Sequence, residues 1–313
     1  MMKENLMRGI VYEEYGAPEV LRIKQLKKPI PKESEVLIKV HASTVTRGDV
    51  RMRAFSVPVI QWPFARLYLG MFKPKRSILG MELAGEIEEI GEQVTKFKVG
   101  DKVFASTLEE DFGGYAEYKR MPEDGLLTLM PDHLPFGEAA ASVGAGMTVI
   151  RCLEKADIQQ GQEVLIYGAS GAVGSTAVQI AKNHYGAKIT AVCSTKNQEL
   201  AKELGAEYVI DYTKQDLTQL NKKYDVLFDA VAKLPKSKAK KVIRKTGVYL
   251  NVHKDTGSRK TKIEELLKLR KLIAEGKYKP YIDRVYPMEE IVQAHRYVDL
   301  GHKKGNVVIE MMT

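Results

Sequence analysis

Cysteine is nearly absent: the 313-residue chain holds two, Cys152 and Cys193. Two thiols build neither a disulfide framework nor a four-cysteine zinc site, and their scarcity fits a reducing compartment. Long hydrophobic runs are missing as well. The most apolar early stretch, Val57 to Met71, is interrupted by Pro58, Gln61, Pro63 and Arg66, and is too short and broken to span a bilayer. Met1 to Arg8 lack the apolar segment of a signal peptide, so the expectation is a cytoplasmic protein with no membrane partner. There is no internal repeat and no low-complexity tract. With 44% hydrophobic residues, the chain is neither fibrous nor disordered but globular, long enough for two domains. The six histidines, at positions 41, 133, 184, 253, 295 and 302, show no ligand-like spacing.

Acidic charge falls short of basic charge, leaving a formal net charge of +9. Such an excess raises the question of nucleic acid, whose phosphates attract Lys and Arg. The basic residues gather at Lys236, Lys238, Lys240, Lys241, Arg244 and Lys245, then at Arg259, Lys260 and Lys262. No binding motif accompanies them. A solvated helix face and loop explain them without a nucleic-acid partner.

What is present divides by pattern. Residues 8 to 42 and Leu83 to Phe104 alternate apolar and polar positions in short runs separated by Gly and Pro, the pattern of antiparallel strands, and a further strand is expected at Tyr115 to Tyr118. After about residue 125, helical segments alternate with apolar strands. Strands are expected at Val164–Tyr167, Ile189–Cys193, Tyr208–Ile210, Val226–Phe228 and Val248–Leu250, with helices at Thr176–Lys182, Gln198–Leu204 and 262–275. This is the form of a doubly wound parallel sheet, so the fold class is α/β. Val285–Pro287 and Val307–Ile309 are expected to return to the first domain.

The most specific motif is the strand Val164-Leu165-Ile166-Tyr167 running through Gly168-Ala169-Ser170-Gly171-Ala172-Val173-Gly174 into a helix. Backbone amides at such a helix start can face a pyrophosphate, and glycines permit close approach. The spacing Gly168, Gly171, Gly174 departs from G-x-G-x-x-G, so its strand-turn-helix context carries the reading. About 20 residues further on, an acidic side chain would bind the ribose 2′-hydroxyl of NAD. Here Cys193 is followed by Ser194, Thr195 and Lys196. Hydroxyls and an ammonium suit a 2′-phosphate, so NADPH is favoured, with NADH as the alternative.

These and earlier motifs resemble the medium-chain dehydrogenase/reductase superfamily over nearly the whole chain. They are Val40-His41-Ala42-Ser43 leading to Gly48-Asp49, Gly80-Met81-Glu82-Leu83-Ala84-Gly85, Gly100-Asp101-Lys102-Val103, Gly113-Gly114-Tyr115-Ala116-Glu117-Tyr118, the glycine turn, and His302-Lys303-Lys304-Gly305-Asn306-Val307-Val308. The resemblance implies a GroES-like β-rich catalytic domain, residues 1–125 and 277–313, around a Rossmann dinucleotide-binding domain, residues 126–276. Where alcohol dehydrogenases of the family hold catalytic zinc, this sequence has Thr46, Met81 and Gly144, and the structural-zinc cysteines are missing, so no metal site is expected. That is the pattern of the quinone oxidoreductase-like branch. By resemblance, Gly144 and Thr148 border the nicotinamide, Ser170 to Val173 the pyrophosphate, and Ser194, Lys196 and Tyr212 the 2′-phosphate. Asn251 lies near the nicotinamide ribose and Lys304 near a phosphate. Glu82 and Asp101 fix turns and packing.

The chemistry implied is zinc-independent hydride transfer to an acceptor already electrophilic, a quinone or an α,β-unsaturated carbonyl. Thr46, Asp49 and Arg51 are the candidate donors to that acceptor, Thr46 first, with Tyr115 less favoured. Val57 to Tyr68 is either a lid for apolar acceptors or a helix packed on the core. Two alternatives stand: a nucleotide-binding interaction protein without turnover, and an alcohol or aldehyde oxidoreductase. The segment from Val252 to Lys262 is short where relatives carry a dimerisation strand, which leaves a homodimer and a monomer both open.

Overall fold

A computed structural model describes residues 5–59, 62–256 and 260–312. The backbone separates into two compact units, one running up to Gly144 and resuming at Ile282, the other spanning Ala145–Tyr281.

The first unit is mainly antiparallel. Strands β1 (Leu6–Val11) and β2 (Arg22–Lys27) form a pair of their own. A seven-stranded sheet joins β3 (Glu35–Thr44), β4 (Glu82–Ile90), β5 (Lys102–Ser106), β6 (Tyr118–Pro122), β7 (Leu127–Leu129), β13 (Ile282–Pro287) and β14 (Asn306–Glu310). Its order is β13-β14-β3-β4-β5-β7, with β6 also paired to β3. Alternation makes β3 the centre of the sheet: Val36, Ile38 and Val40 point into one hydrophobic core with Leu83, Ile87 and Val103. The C-terminal strand returns here as expected, β14 pairing antiparallel with β3 at Val308–Thr44 and Ile309–Ser43. Helices α1 (Arg47–Arg53), α2 (Trp62–Leu69) and α9 (Ile291–Asp299) complete the unit, with the first part of α3 (Phe136–Glu154).

Two details differ from the sequence reading. The strand expected at Tyr115–Tyr118 begins at Tyr118. Tyr115 is held instead by its amide donating to Leu79 O and its carbonyl accepting from the Ile10 amide, and Ala116 by an isolated bridge to Gly9. Residues 126–144, expected in the second domain, lie in the first unit, because Leu127–Leu129 pair with Val103–Ala105 and Phe136 stacks on His41 at 4.2 Å.

The second unit is a five-stranded parallel sheet of β8 (Glu163–Tyr167), β9 (Lys188–Cys193), β10 (Tyr208–Asp211), β11 (Tyr224–Asp229) and β12 (Ile243–Asn251), ordered β10-β9-β8-β11-β12. Val164, Leu165 and Ile166 are all fully buried, as a strand covered on both faces requires. The helices are α4 (Ala172–Asn183), α5 (Gln198–Glu203), α6 (Lys236–Val242), α7 (Val252–Asp255) and α8 (Ile263–Ala274). Helix α8 buries Leu266, Leu269, Leu272 and Ile273 along one stripe and stops before Gly276 at φ +67°. Among the described residues no sixth strand extends the sheet beyond β12. Residues 257–259 of the short segment that bears on dimerisation lie outside the described residues. No described helix is long and apolar enough to cross a membrane.

Candidate active site

In the second unit the strand order reverses direction at β8, and the turn after β8 starts the nucleotide-binding geometry. Gly168 has φ +82°, a left-handed conformation that a Cβ disfavours. Gly174 sits so close beneath it that a Cβ there would lie 2.1 Å from the Gly168 carbonyl oxygen. Only glycine allows helix α4 to start this tightly against the strand end. Gly171 caps α4 without a side-chain hydrogen bond, and Ser170, Gly171, Ala172 and Val173 are half-buried, so first-turn amides and the helix dipole face an accessible place.

The ends of neighbouring strands open on the same edge. After β9, Ser194 is half-buried and Lys196 exposed. Thr195 turns its hydroxyl onto Asp211, which also accepts from Thr213 and Gln198. The hydrogen bonds from Thr195 and Thr213 hold the Asp211 carboxyl down to about 2, so it is ionised and its charge already spread over donors. Tyr212 follows, 54% exposed, its ring 6.5 Å from that of Tyr167 at the end of β8. Asn251, ending β12, caps α7 by accepting from the His253 amide at 3.1 Å, and its own amide donates to Asp255. Gly168, Ser170 to Gly174, Ser194, Lys196, Tyr212 and Asn251 therefore gather at the carboxyl ends of one sheet. Thr148 lies half-buried within α3 in this unit. Asn197, which no sequence motif singled out, donates from Nδ2 to both Ser170 Oγ at 2.9 Å and Ser194 Oγ at 3.3 Å.

The first unit holds the remaining candidates. Thr46 and Asp49 form a capping box at the start of α1: the Asp49 amide donates to Thr46 Oγ1, and the Thr46 amide donates to Asp49 Oδ2. The Thr46 hydroxyl, expected to donate to an acceptor, instead donates to Asp49 Oδ2 at 2.5 Å. Asp49 is fully buried, and its other oxygen accepts the Gly80 amide at 3.0 Å. Burial pushes its carboxyl up to about 6. This pair joins α1 to the Gly80 turn. Tyr115 is likewise enclosed, its hydroxyl donating to Thr44 O at 3.1 Å. Arg51, by contrast, is exposed on α1.

Beside this pair, Met81 Sδ stands 3.5 Å from Thr46 Oγ1. Glu82 is buried and accepts from the Thr44 hydroxyl and the Gly144 amide. Burial pushes its carboxyl up to about 7, and it acts electrostatically on Lys303, whose ammonium burial lowers to about 8. Gly144 is thus a partner of Glu82. The Lys304 amide donates to Asp283 Oδ2 at 2.8 Å, which fixes the loop entering β14.

The family model described as alcohol dehydrogenase GroES-like domain matches residues 32–132, and two described as zinc-binding dehydrogenase match 172–277 and 254–309. A 2-methylene-furan-3-one reductase of Solanum lycopersicum is 35% identical, the alignment covering 97% of this chain and 79% of the relative. The chain belongs to the medium-chain dehydrogenase/reductase superfamily, in its quinone oxidoreductase-like branch. An NADPH-dependent alkenal/one oxidoreductase of Arabidopsis thaliana is 33% identical over 97% of this chain and 79% of its own length. The solved quinone oxidoreductase of Coxiella burnetii superposes with a TM-score of 0.84 at 29% identity, covering 98% of this chain and all of that one.

Membership in this superfamily raises the question of zinc. Thr46, Met81 and Gly144 offer a committed hydroxyl, a thioether and no side chain, a donor set that does not fit zinc. Among the described residues no group of three or more His, Cys, Asp or Glu side chains could hold a metal ion. A nicotinamide dinucleotide does fit, because the glycine turn leaves the room and the amides that a pyrophosphate uses.

Proposed function

We propose that the protein is an NADPH-dependent, zinc-independent reductase of quinones or α,β-unsaturated carbonyls. The observation that carries this reading is the cradle at the carboxyl ends of β8 and β9, in a chain so similar to an alkenal/one oxidoreductase named for NADPH. NADPH supplies the hydride. The turn from Gly168 to Gly174 receives its pyrophosphate, with Ser170, Ala172 and Val173 at the contact. Ser194, Lys196 and Tyr212 take the 2′-phosphate, through hydroxyl bonds and charge. Gly144, Thr148, Asn251 and Lys304 are assigned to the nicotinamide side and the phosphates by resemblance.

On the acceptor side the roles divide by availability. Thr46 and Asp49 position the start of α1, while Arg51 supplies the hydrogen bond to the oxyanion that develops on the acceptor. A guanidinium stays protonated, so it stabilises charge, and the proton itself comes from solvent. An acceptor whose oxyanion is delocalised asks no more than this.

The test is nicotinamide absorbance followed in chelator, with NADPH or NADH and a panel of a benzoquinone, an ortho-quinone, an alkenal, an alkenone and a simple aldehyde. Acceptor-dependent consumption of NADPH, faster than that of NADH and absent with the aldehyde, is expected. Binding without turnover across the panel would replace this reading by a nucleotide-binding interaction protein, and turnover with the aldehyde alone by a carbonyl reductase.

A further inference from the structure

Asn197 does not do what an asparagine at its position ordinarily does. It stands at the N-cap of α5, where an Asn side chain accepts from a first-turn amide, yet it makes no capping bond. It is 6% exposed, and its Oδ1 is buried with no partner among the described residues. A buried acceptor left alone is costly, so the orientation calls for a cause at the other end of the side chain. That end is Nδ2, which donates to Ser170 Oγ after β8 and to Ser194 Oγ after β9. Backbone geometry holds it there, the Asn197 amide donating to Ser194 O at 2.9 Å within the turn Thr195–Asn197.

The consequence lies in the hydroxyl protons. Each serine has one proton, and each serine oxygen here already accepts from Asn197. Neither can spend its proton on the Asn197 amide nitrogen, so both O–H bonds are free to point outward. A phosphate is acceptor-only at its ionised oxygens, so outward protons are what it requires. Resting on the cofactor reading above, we infer that Asn197 is a positioning and specificity residue: its amide sets the hydroxyls of Ser170 and Ser194 as paired donors, one to the pyrophosphate and one to the 2′-phosphate. Ser170 serves NADPH and NADH alike, whereas Ser194 serves only the phosphate that distinguishes them.

Asn197→Asp inverts the arrangement. A carboxylate draws both serine protons inward and adds a negative charge near the phosphates. Asn197→Ala only releases them. Dissociation constants for NADPH and NADH, measured by nucleotide fluorescence on the intact protein, are expected to show the Asp variant losing about tenfold or more for NADPH, one charge-assisted bond's worth. NADH should lose less, and the Ala variant should lose only about two- to threefold for NADPH. A side chain that merely supports the fold predicts the reverse order, with Ala at least as harmful as Asp and both nucleotides weakened equally. That result, or unchanged NADPH binding in the Asp variant, overturns the inference. Should the Asp variant fail to fold, Asn197→Ala, Ser194→Ala and their double variant decide: non-additive NADPH losses support the coupling, and strictly additive ones overturn it. Failure of the wild-type protein to bind NADPH sinks the cofactor reading itself, and this inference with it.

Discussion

Glu82 concentrates the electrostatic strain of the first unit in one side chain. It is 2% exposed, and the Thr44 hydroxyl and Gly144 amide only partly offset the burial that raises its carboxyl to about 7. Asp49 raises it further, Lys303 lowers it, and Asp283 and Arg47 act in turn on Lys303. A carboxyl raised in the folded state stabilises through its protonated form. That contribution is complete below the ordinary value of 4.5 and is lost as pH rises through about 7. Glu82→Gln keeps an acceptor for the Gly144 amide and turns its amide nitrogen to Thr44, whose hydroxyl then accepts where it donates to Glu82, but the variant does not titrate. Between about pH 5 and pH 8 the wild-type protein is therefore expected to lose about 2–3 kcal/mol relative to the variant, read from denaturant midpoints. Parallel pH profiles for the two proteins would place the titration on another group, with Asp49 the first to examine. Glu82 was legible in the sequence as a motif residue that fixes packing. Its raised carboxyl was not, because burial and the partners Thr44, Gly144 and Lys303 come from segments far apart in the chain.

Among the elements, helix α2 shows where local pattern stops informing. An apolar run can be read from sequence, but whether a neighbour covers it cannot. Here Phe64 is 77% exposed and Leu67 69%, with Leu69 the buried residue of the helix, so the packed-helix alternative fails for most of its length. Trp62 is anchored better: its indole donates to Val57 O at 3.2 Å and its ring meets Phe55 edge-on at 6.0 Å. Phe64→Ala is expected to change stability by less than about 0.5 kcal/mol, and Trp62→Ala to cost about 1–2 kcal/mol. If α2 is the lid of the proposed reaction, Phe64→Ala also raises KM for apolar acceptors at unchanged unfolding temperature. An unchanged KM would remove the lid from the reading. The parallel strands were legible for the opposite reason. A strand covered on both faces must be apolar throughout, so Val164–Ile166 and Val226–Phe228 announce both strand and burial. Asn197 had no such signature, since its partners lie on two separate turns and only the folded sheet brings them together.

At the scale of the molecule, the two units are coded differently along the chain. The second is continuous, and the first is closed by residues after Tyr281. Those residues bring Val307, Val308 and Ile309, all fully buried, into the sheet beside β3. They also partner Arg53, a guanidinium 2% exposed that meets Asp299 at 2.9 Å and His295 at 3.3 Å. Ending the chain at Tyr281 would uncover β3 and leave Arg53 a buried charge with no counter-ion, a loss far beyond ordinary surface changes. The truncated protein is therefore expected to lose the ordered first unit. A fragment of residues 135–281 keeps the whole of α3, the five parallel strands and the proposed pyrophosphate and 2′-phosphate contacts. It is expected to fold, with dispersed amide resonances, and to bind NADPH. An unstructured fragment would mean that the second unit depends on the first for its stability, and the two would then have to be treated as one cooperative body.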